Sequence, residues 1–131
     1  VQRIEQSVAE ATAYADVIAR GGPVLDGPLT EGAFYRPLLL EVTNPGVPIV
    51  QQEVFGAVQV MGVFDDEADA VRRANATEFG LATAAFTKVR ARARRVGRAI
   101  RAGSMWLNTW GHPTDEFETT GLLQVRLTAD R

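Results

Sequence analysis

The chain has 131 residues, 46% of them hydrophobic and 23% charged, with 16 acidic against 14 basic residues and no Cys. That length suits one domain, and the balanced composition excludes disordered, collagen-like and low-complexity classes. A net charge of −2 supplies no global field for nucleic acid or an acidic membrane, and a chain without Cys holds no disulfide, thiolate metal site or Cys nucleophile.

No apolar run approaches the ~20 residues of a membrane span. Val1-Gln2-Arg3-Ile4-Glu5 does not have the form of a signal peptide, so the expectation is a cytoplasmic chain without a membrane partner. Thirteen of the fourteen basic residues are Arg, which leaves Lys88 as the one Lys.

Taken in chain order, residues 2–20 predict a helix, because Ile4, Val8, Ala11, Ala15 and Ile18 recur at helical spacing. Gly21-Gly22-Pro23 ends it, and residues 23–36 read as an irregular connection rich in Gly and Pro. Leu38–Val42 is a short apolar run between Pro37 and Thr43-Asn44-Pro45, which predicts a strand. Pro45, Gly46 and Pro48 predict a second irregular stretch, leading into Ile49-Val50-Gln51-Gln52-Glu53.

From Ala57 the pattern becomes regular. Ala57–Phe64 predicts a strand buried on both faces, and Asp65-Asp66-Glu67 a helix start running to about Thr77. Arg72 and Arg73 stand within reach of Asp69 on that helix. Leu81–Thr87 predicts a second strand, and Val89, Ala93, Val96 and Ile100 the apolar stripe of a second helix ended by Gly103. Ser104–Thr109 predicts a third strand. Strand, helix, strand, helix, strand with short links is the signature of a doubly wound α/β unit, with parallel strands and right-handed crossovers. Residues 111–131 lose the pattern and predict an irregular tail, so the organisation read is a single partial domain over 1–131.

In open α/β sheets, ligands lie beyond the carboxyl ends of the strands. That rule selects Asp65 and Asp66, then Lys88, then Asn108, Trp110 and His112. Asp65 and Asp66 also read as helix caps, Lys88 as the start of a basic helix face, and His112 as a turn residue between Gly111 and Pro113. A lone His without Cys makes no metal site. Neither a P-loop nor a G-x-G-x-x-G pattern occurs, so the chain carries no phosphate cradle of its own. Arg90, Arg92, Arg94, Arg95, Arg98 and Arg101 form the densest charge cluster, yet no aromatic residues interleave with them for base stacking. They read as a solvated helix face, with no nucleic-acid partner. Glu53 and Phe55, two residues apart, point the same way if their segment is extended. A carboxylate can accept both hydroxyls of a ribose, and a flat ring can support a planar heterocycle.

Gln52-Glu53-Val54-Phe55-Gly56-Ala57-Val58 resembles the Glu-Glu-Ile-Phe-Gly-Pro-Val motif of the aldehyde dehydrogenase superfamily. Phe64-Asp65-Asp66-Glu67, Ala74-Asn75-Ala76-Thr77-Glu78-Phe79-Gly80-Leu81-Ala82, Phe86-Thr87 and Arg101-Ala102-Gly103-Ser104-Met105-Trp106-Leu107-Asn108-Thr109 continue the resemblance in order, and Gly32-Ala33-Phe34-Tyr35-Arg36-Pro37 precedes it. Over most of residues 1–121 it implies the C-terminal part of the catalytic domain, a Rossmann-like three-layer α/β fold with a mainly parallel sheet. It also implies NAD or NADP as cofactor and oxidation of an aldehyde to a carboxylic acid.

By the same resemblance, Glu53 hydrogen-bonds the nicotinamide ribose and Phe55 packs beside the nicotinamide. Asn108, Trp110 and Phe117 fall in or near the aldehyde pocket, with Asn108 in a structural role. The family's nucleophilic Cys and general-base Glu have no counterpart here, so the catalytic set is empty and the isolated chain is expected to be inactive. Gln52 and Ala57 depart from the motif without touching the implied roles. Beyond Gly121, Leu122-Leu123-Gln124-Val125-Arg126-Leu127 departs from the family, as a fragment, a frameshift or an altered gene end would. The alternative is a non-catalytic interaction or oligomerisation module. Either way, open strand edges predict association with a second copy or with the missing half.

Overall fold

The computed structural model describes residues 1–111, so His112, Phe117 and the tail expected to be irregular lie outside the described residues. The chain divides into two compact units, Val1–Val63 and Phe64–Arg131.

In the first unit, α1 spans Gln2–Ala11 and stops well short of the expected residue 20. Thr12 closes it, its hydroxyl donating to the Ala9 carbonyl at 2.7 Å. The chain then enters β1, Asp16–Ala19, which pairs antiparallel with β4, Leu38–Glu41. The helical spacing of Ala15 and Ile18 is therefore overridden by a partner about twenty residues away, a non-local pairing that local periodicity does not register. Between these strands, β2 (Gly22–Pro23) and β3 (Tyr35–Arg36) form a short antiparallel pair, within the stretch expected to be irregular. Gly21 leads into that pair, and a Cβ there would lie 2.1 Å from the Arg36 carbonyl oxygen.

β4, the strand that the Pro-bounded apolar run predicted, is the centre of this unit. It pairs with β1 on one edge and, in parallel, with β5 (Val58–Met61) on the other, with Leu38 opposite Val58 and Leu40 opposite Val60. Leu38 and Leu40 alternate into a core with Ala11, Val42 and Ile49, and Leu40 is completely buried. Pro48–Gln51 forms a single helical turn, α2, where an irregular stretch was expected. Pro breaks a helix interior but is well placed in the first turn, where its missing N–H is no loss. The turn is tied down when the Ile49 N–H donates to the Tyr14 hydroxyl at 3.3 Å and the Gln51 side chain donates to the Pro45 carbonyl at 2.7 Å.

The second unit follows the expected alternation closely. α3 spans Glu67–Ala74, β6 Ala82–Ala85, α4 Arg90–Ala99 and β7 Ser104–Leu107. β6 and β7 are parallel, with Ala82 opposite Ser104 and Ala85 opposite Leu107. Asp66 caps α3 by accepting the Asp69 N–H at 2.8 Å, and Asp69 reaches back to the Asp65 N–H at 3.3 Å. This reciprocal arrangement satisfies two otherwise orphan donors. Asp69 also pairs with Arg72 and, at 2.9 Å, with Arg73. Ala93 is the buried point of the α4 stripe, with Val96 and Ile100 half-buried beside it, whereas Val89 is largely exposed.

Each of the three strands expected to be parallel has a parallel partner within its own unit. β5 finds its partner in β4, and β6 pairs with β7. The mixed α/β class and the parallel pairings agree with the sequence reading.

Candidate functional site

Glu53 and Phe55 sit on the six-residue link between α2 and β5. Gln52 leaves α2 in an extended conformation, φ −115° and ψ 137°. Beyond it Glu53 is exposed, Val54 is half-buried against the core around Leu40, and Phe55 is 70% exposed. That alternation is what an extended segment with one inward anchor produces. The ends of the link are held by the Gln52 N–H donating to the Pro48 carbonyl and the Leu38 N–H donating to the Ala57 carbonyl, each at 2.9 Å. Gly56 follows Phe55 where a Cβ would stand 2.3 Å from Ile4 Cδ1, so the link passes close over α1. A solvent-facing carboxylate beside a solvent-facing ring fits the sugar and base of a nucleoside. The carboxylate accepts from two hydroxyls, and the ring covers a planar heterocycle.

The strand-end candidates take other roles. Asp66 is the α3 cap, and Asp65 supplies a backbone N–H to the same arrangement. Lys88 is exposed. Asn108 ties the ends of β6 and β7 together. Its N–H donates to the Ala85 carbonyl at 2.9 Å, and its Oδ1 accepts the Thr87 N–H at 2.7 Å. Trp110 is 59% exposed and its ring meets that of Trp106, with centroids 5.1 Å apart and planes at 59°. Phe117 and His112 lie outside the described residues.

The Arg cluster is partly consumed by structure. Arg95 makes a two-pronged bond to Glu67, at 2.9 and 2.7 Å, and Arg92 approaches the same carboxylate at 3.3 Å. These contacts join α4 to α3, and Arg95 above all holds the Glu67 carboxyl below the usual carboxylate range. Asn75 makes a second tie, one that sequence reasoning missed. It donates to the Ala99 carbonyl and accepts the Arg101 N–H, both at 2.8 Å. The one signal available was an Asn placed at the end of a helical pattern. In the first unit the Tyr35 hydroxyl donates to Glu5 at 2.5 Å. Desolvation first, then the Glu5 carboxylate, push this phenol up to about 12.

A cavity of about 550 Å³ opens in the second unit, between Phe64, Ala70, Thr83, Phe86, Val96 and Ile100. Among the described residues no group of three His, Cys, Asp or Glu is placed to hold a metal ion, and no helix is long and apolar enough to cross a membrane.

Comparison with known proteins now bears on this geometry. The family model for the aldehyde dehydrogenase family matches residues 1–124. Betaine aldehyde dehydrogenases from two strains of Vibrio vulnificus are 37% identical over 107 residues, which is 82% of this chain and 22% of each relative. A crystal structure of betaine aldehyde dehydrogenase from Staphylococcus aureus superposes with a TM-score of 0.82 at 32% identity, over 92% of this chain and 24% of that one. Another structure of the Staphylococcus aureus enzyme, in complex with NAD⁺, gives a TM-score of 0.77 at 34% identity, over 86% of this chain and 22% of that one. The chain thus spans about a fifth of the length of the curated relatives it matches. With most of its residues matched by one family model and the same fold found in solved members, this chain belongs to the aldehyde dehydrogenase family of oxidoreductases.

Proposed function

We propose that these residues form the part of an NAD(P)-dependent aldehyde dehydrogenase, within its catalytic domain, that receives the nicotinamide end of the coenzyme. The observation that carries this reading is the outward pairing of Glu53 and Phe55 on a link anchored at both ends. The Staphylococcus aureus relative crystallised with NAD⁺ supports the same class of ligand. Glu53 accepts the ribose hydroxyls, and Phe55 restricts where the ring can lie. When bound, the coenzyme supplies a hydride acceptor for oxidation of an aldehyde to a carboxylic acid. The residues of this chain bind and orient it.

Trp110, with an exposed ring, and Phe117 further along supply aromatic surface to the aldehyde pocket, while Asn108 serves that region through the backbone it ties. The covalent route to a carboxylic acid needs a thiolate that attacks the aldehyde, and this chain has no Cys. Alone it therefore performs no aldehyde oxidation. It works in the cytoplasm, in contact with the remainder of a catalytic domain or with a second copy. A second reading, a non-catalytic docking module, draws on the exposure of Leu81, Phe86 and Val89 in the second unit.

The test is saturation-transfer NMR of the 131-residue chain with NAD⁺, alongside an assay for NADH formation with acetaldehyde. Stronger transfer to nicotinamide protons than to adenine protons, with no NADH formed, supports the proposal. Equal transfer to both ends, or turnover above the blank, overturns the part of the proposal it addresses.

A further inference from the structure

Asn108 is the one described non-glycine residue with a positive φ, +58°. It stands midway between Trp106 in β7 and Trp110. Were the strand to continue, residues 106 and 110 would be separated by about 13 Å, four steps of roughly 3.3 Å. Their ring centroids are instead 5.1 Å apart. The left-handed residue between them turns the chain out of the strand and brings the second indole back over the first.

Asn is suited to this place for two reasons. Its short polar side chain tolerates the left-handed region. Its Oδ1 also accepts the Thr87 N–H at 2.7 Å, which fastens the turn to the end of β6. Thr87 in turn accepts the Val89 N–H on its hydroxyl at 3.2 Å, next to the first turn of α4. The reversal is thus braced from β6 and from the start of α4. Trp110, although it rests on Trp106, keeps 59% of its surface exposed.

We infer that Asn108 is a positioning residue, whose side-chain bond to the Thr87 amide and left-handed backbone fold Trp110 onto Trp106 and so fix the free face of Trp110 at the carboxyl end of β7. This rests on the reading of Trp110 as aromatic surface of the aldehyde pocket, and it assigns to Asn108 the orientation of that surface and no contact with the aldehyde.

The chain contains two Trp, so an exciton couplet between indoles in the far-ultraviolet circular dichroism reports this pair. Trp110→Phe gives the baseline without a couplet. Asn108→Ala and Asn108→Gly are expected to lose the couplet while still unfolding cooperatively, and Asn108→Asp, which keeps the acceptor, to retain most of it. Gly takes the positive φ without strain, so the Gly variant reports on the side-chain bond even if the Ala variant fails to fold. A full couplet in Asn108→Gly, or its loss in Asn108→Asp, overturns the inference. The couplet needs neither coenzyme nor aldehyde, so failure here leaves the NAD⁺ experiment standing, and failure there leaves this one standing.

Discussion

Replacing Gly21 by Ala puts a methyl group where only backbone surrounds it. The new Cβ would lie 2.1 Å from the Arg36 carbonyl oxygen, 2.2 Å from the Pro37 carbonyl oxygen and 2.5 Å from the Pro37 carbonyl carbon. None of these atoms can rotate away. Relief requires the segment entering β2 to part from the one entering β4, the strand whose Leu38 and Leu40 form the core. Overpacking of this kind costs about 1–3 kcal/mol, and a backbone neighbour places Gly21→Ala at the upper end, about 3 kcal/mol.

Gly56→Ala is the internal control, with a nominal approach of 2.3 Å to Ile4 Cδ1. Ile4 Cγ1 lies at 2.8 Å, and the three nearest atoms all belong to this one side chain, so relief needs Ile4 to leave its preferred rotamer, at a cost of about 1 kcal/mol. Restriction of the unfolded chain offsets part of that cost, by about 0.4–1 kcal/mol. Urea unfolding followed by far-ultraviolet circular dichroism separates the two. With a slope of about 1–3 kcal/mol/M, the Gly21 variant moves the midpoint down by roughly 1–3 M and the Gly56 variant by much less. Equal shifts, or a Gly21 variant within 1 kcal/mol of the parent, would refute the reasoning from neighbour type.

Asn75→Ala removes two side-chain hydrogen bonds while the Arg101 side chain keeps its bond to the Asn75 carbonyl, so a loss of about 1–3 kcal/mol is expected in the same unfolding assay. Glu67 is held ionised by Arg95 and Arg92, so its contribution is complete above the ordinary Glu range and disappears as pH falls through its lowered folded value. Glu67→Gln accordingly lowers the thermal midpoint at pH 6, and the gap closes as acid protonates the carboxyl; a gap that stays constant with pH contradicts the assignment. Tyr35 is protonated more tightly folded than unfolded, so the stability it adds is whole below about 10, its unfolded value, and lost as pH rises through about 12. Ultraviolet difference titration sees this ionisation, and Glu5→Gln moves it down.

The parts of the fold legible in the sequence are those specified locally. Leu38–Val42 announced a strand because Pro and Asn bound a short apolar run, and its residues alternate between buried and half-buried, with Leu38 and Leu40 facing the core. α3 was legible from Asp65-Asp66-Glu67, a run of acids at a helix start, of which Asp66 accepts the Asp69 N–H as the cap. What escaped depends on distant partners. Asp16–Ala19 is a strand only because β4 pairs with it, and β5 belongs with β4 for the same reason. At the site, the outward direction of Glu53 and Phe55 followed from their spacing, and Val54 turning inward between them is the physical cause. The ligand proposed for them came from the motif, since a carboxylate two residues from a ring is a common arrangement. The ties made by Asn75 and Asn108 were not legible, because each joins elements more than twenty residues apart.

The central claim is that Glu53 and Phe55 receive the nicotinamide nucleoside. Titration of the chain with nicotinamide mononucleotide, followed through backbone amide resonances, tests it most directly. The account predicts shifts concentrated at residues 52–57, weakened at least several-fold in Glu53→Gln and Phe55→Ala. Shifts centred instead on the cavity between α3 and α4, or unchanged in both variants, would contradict it.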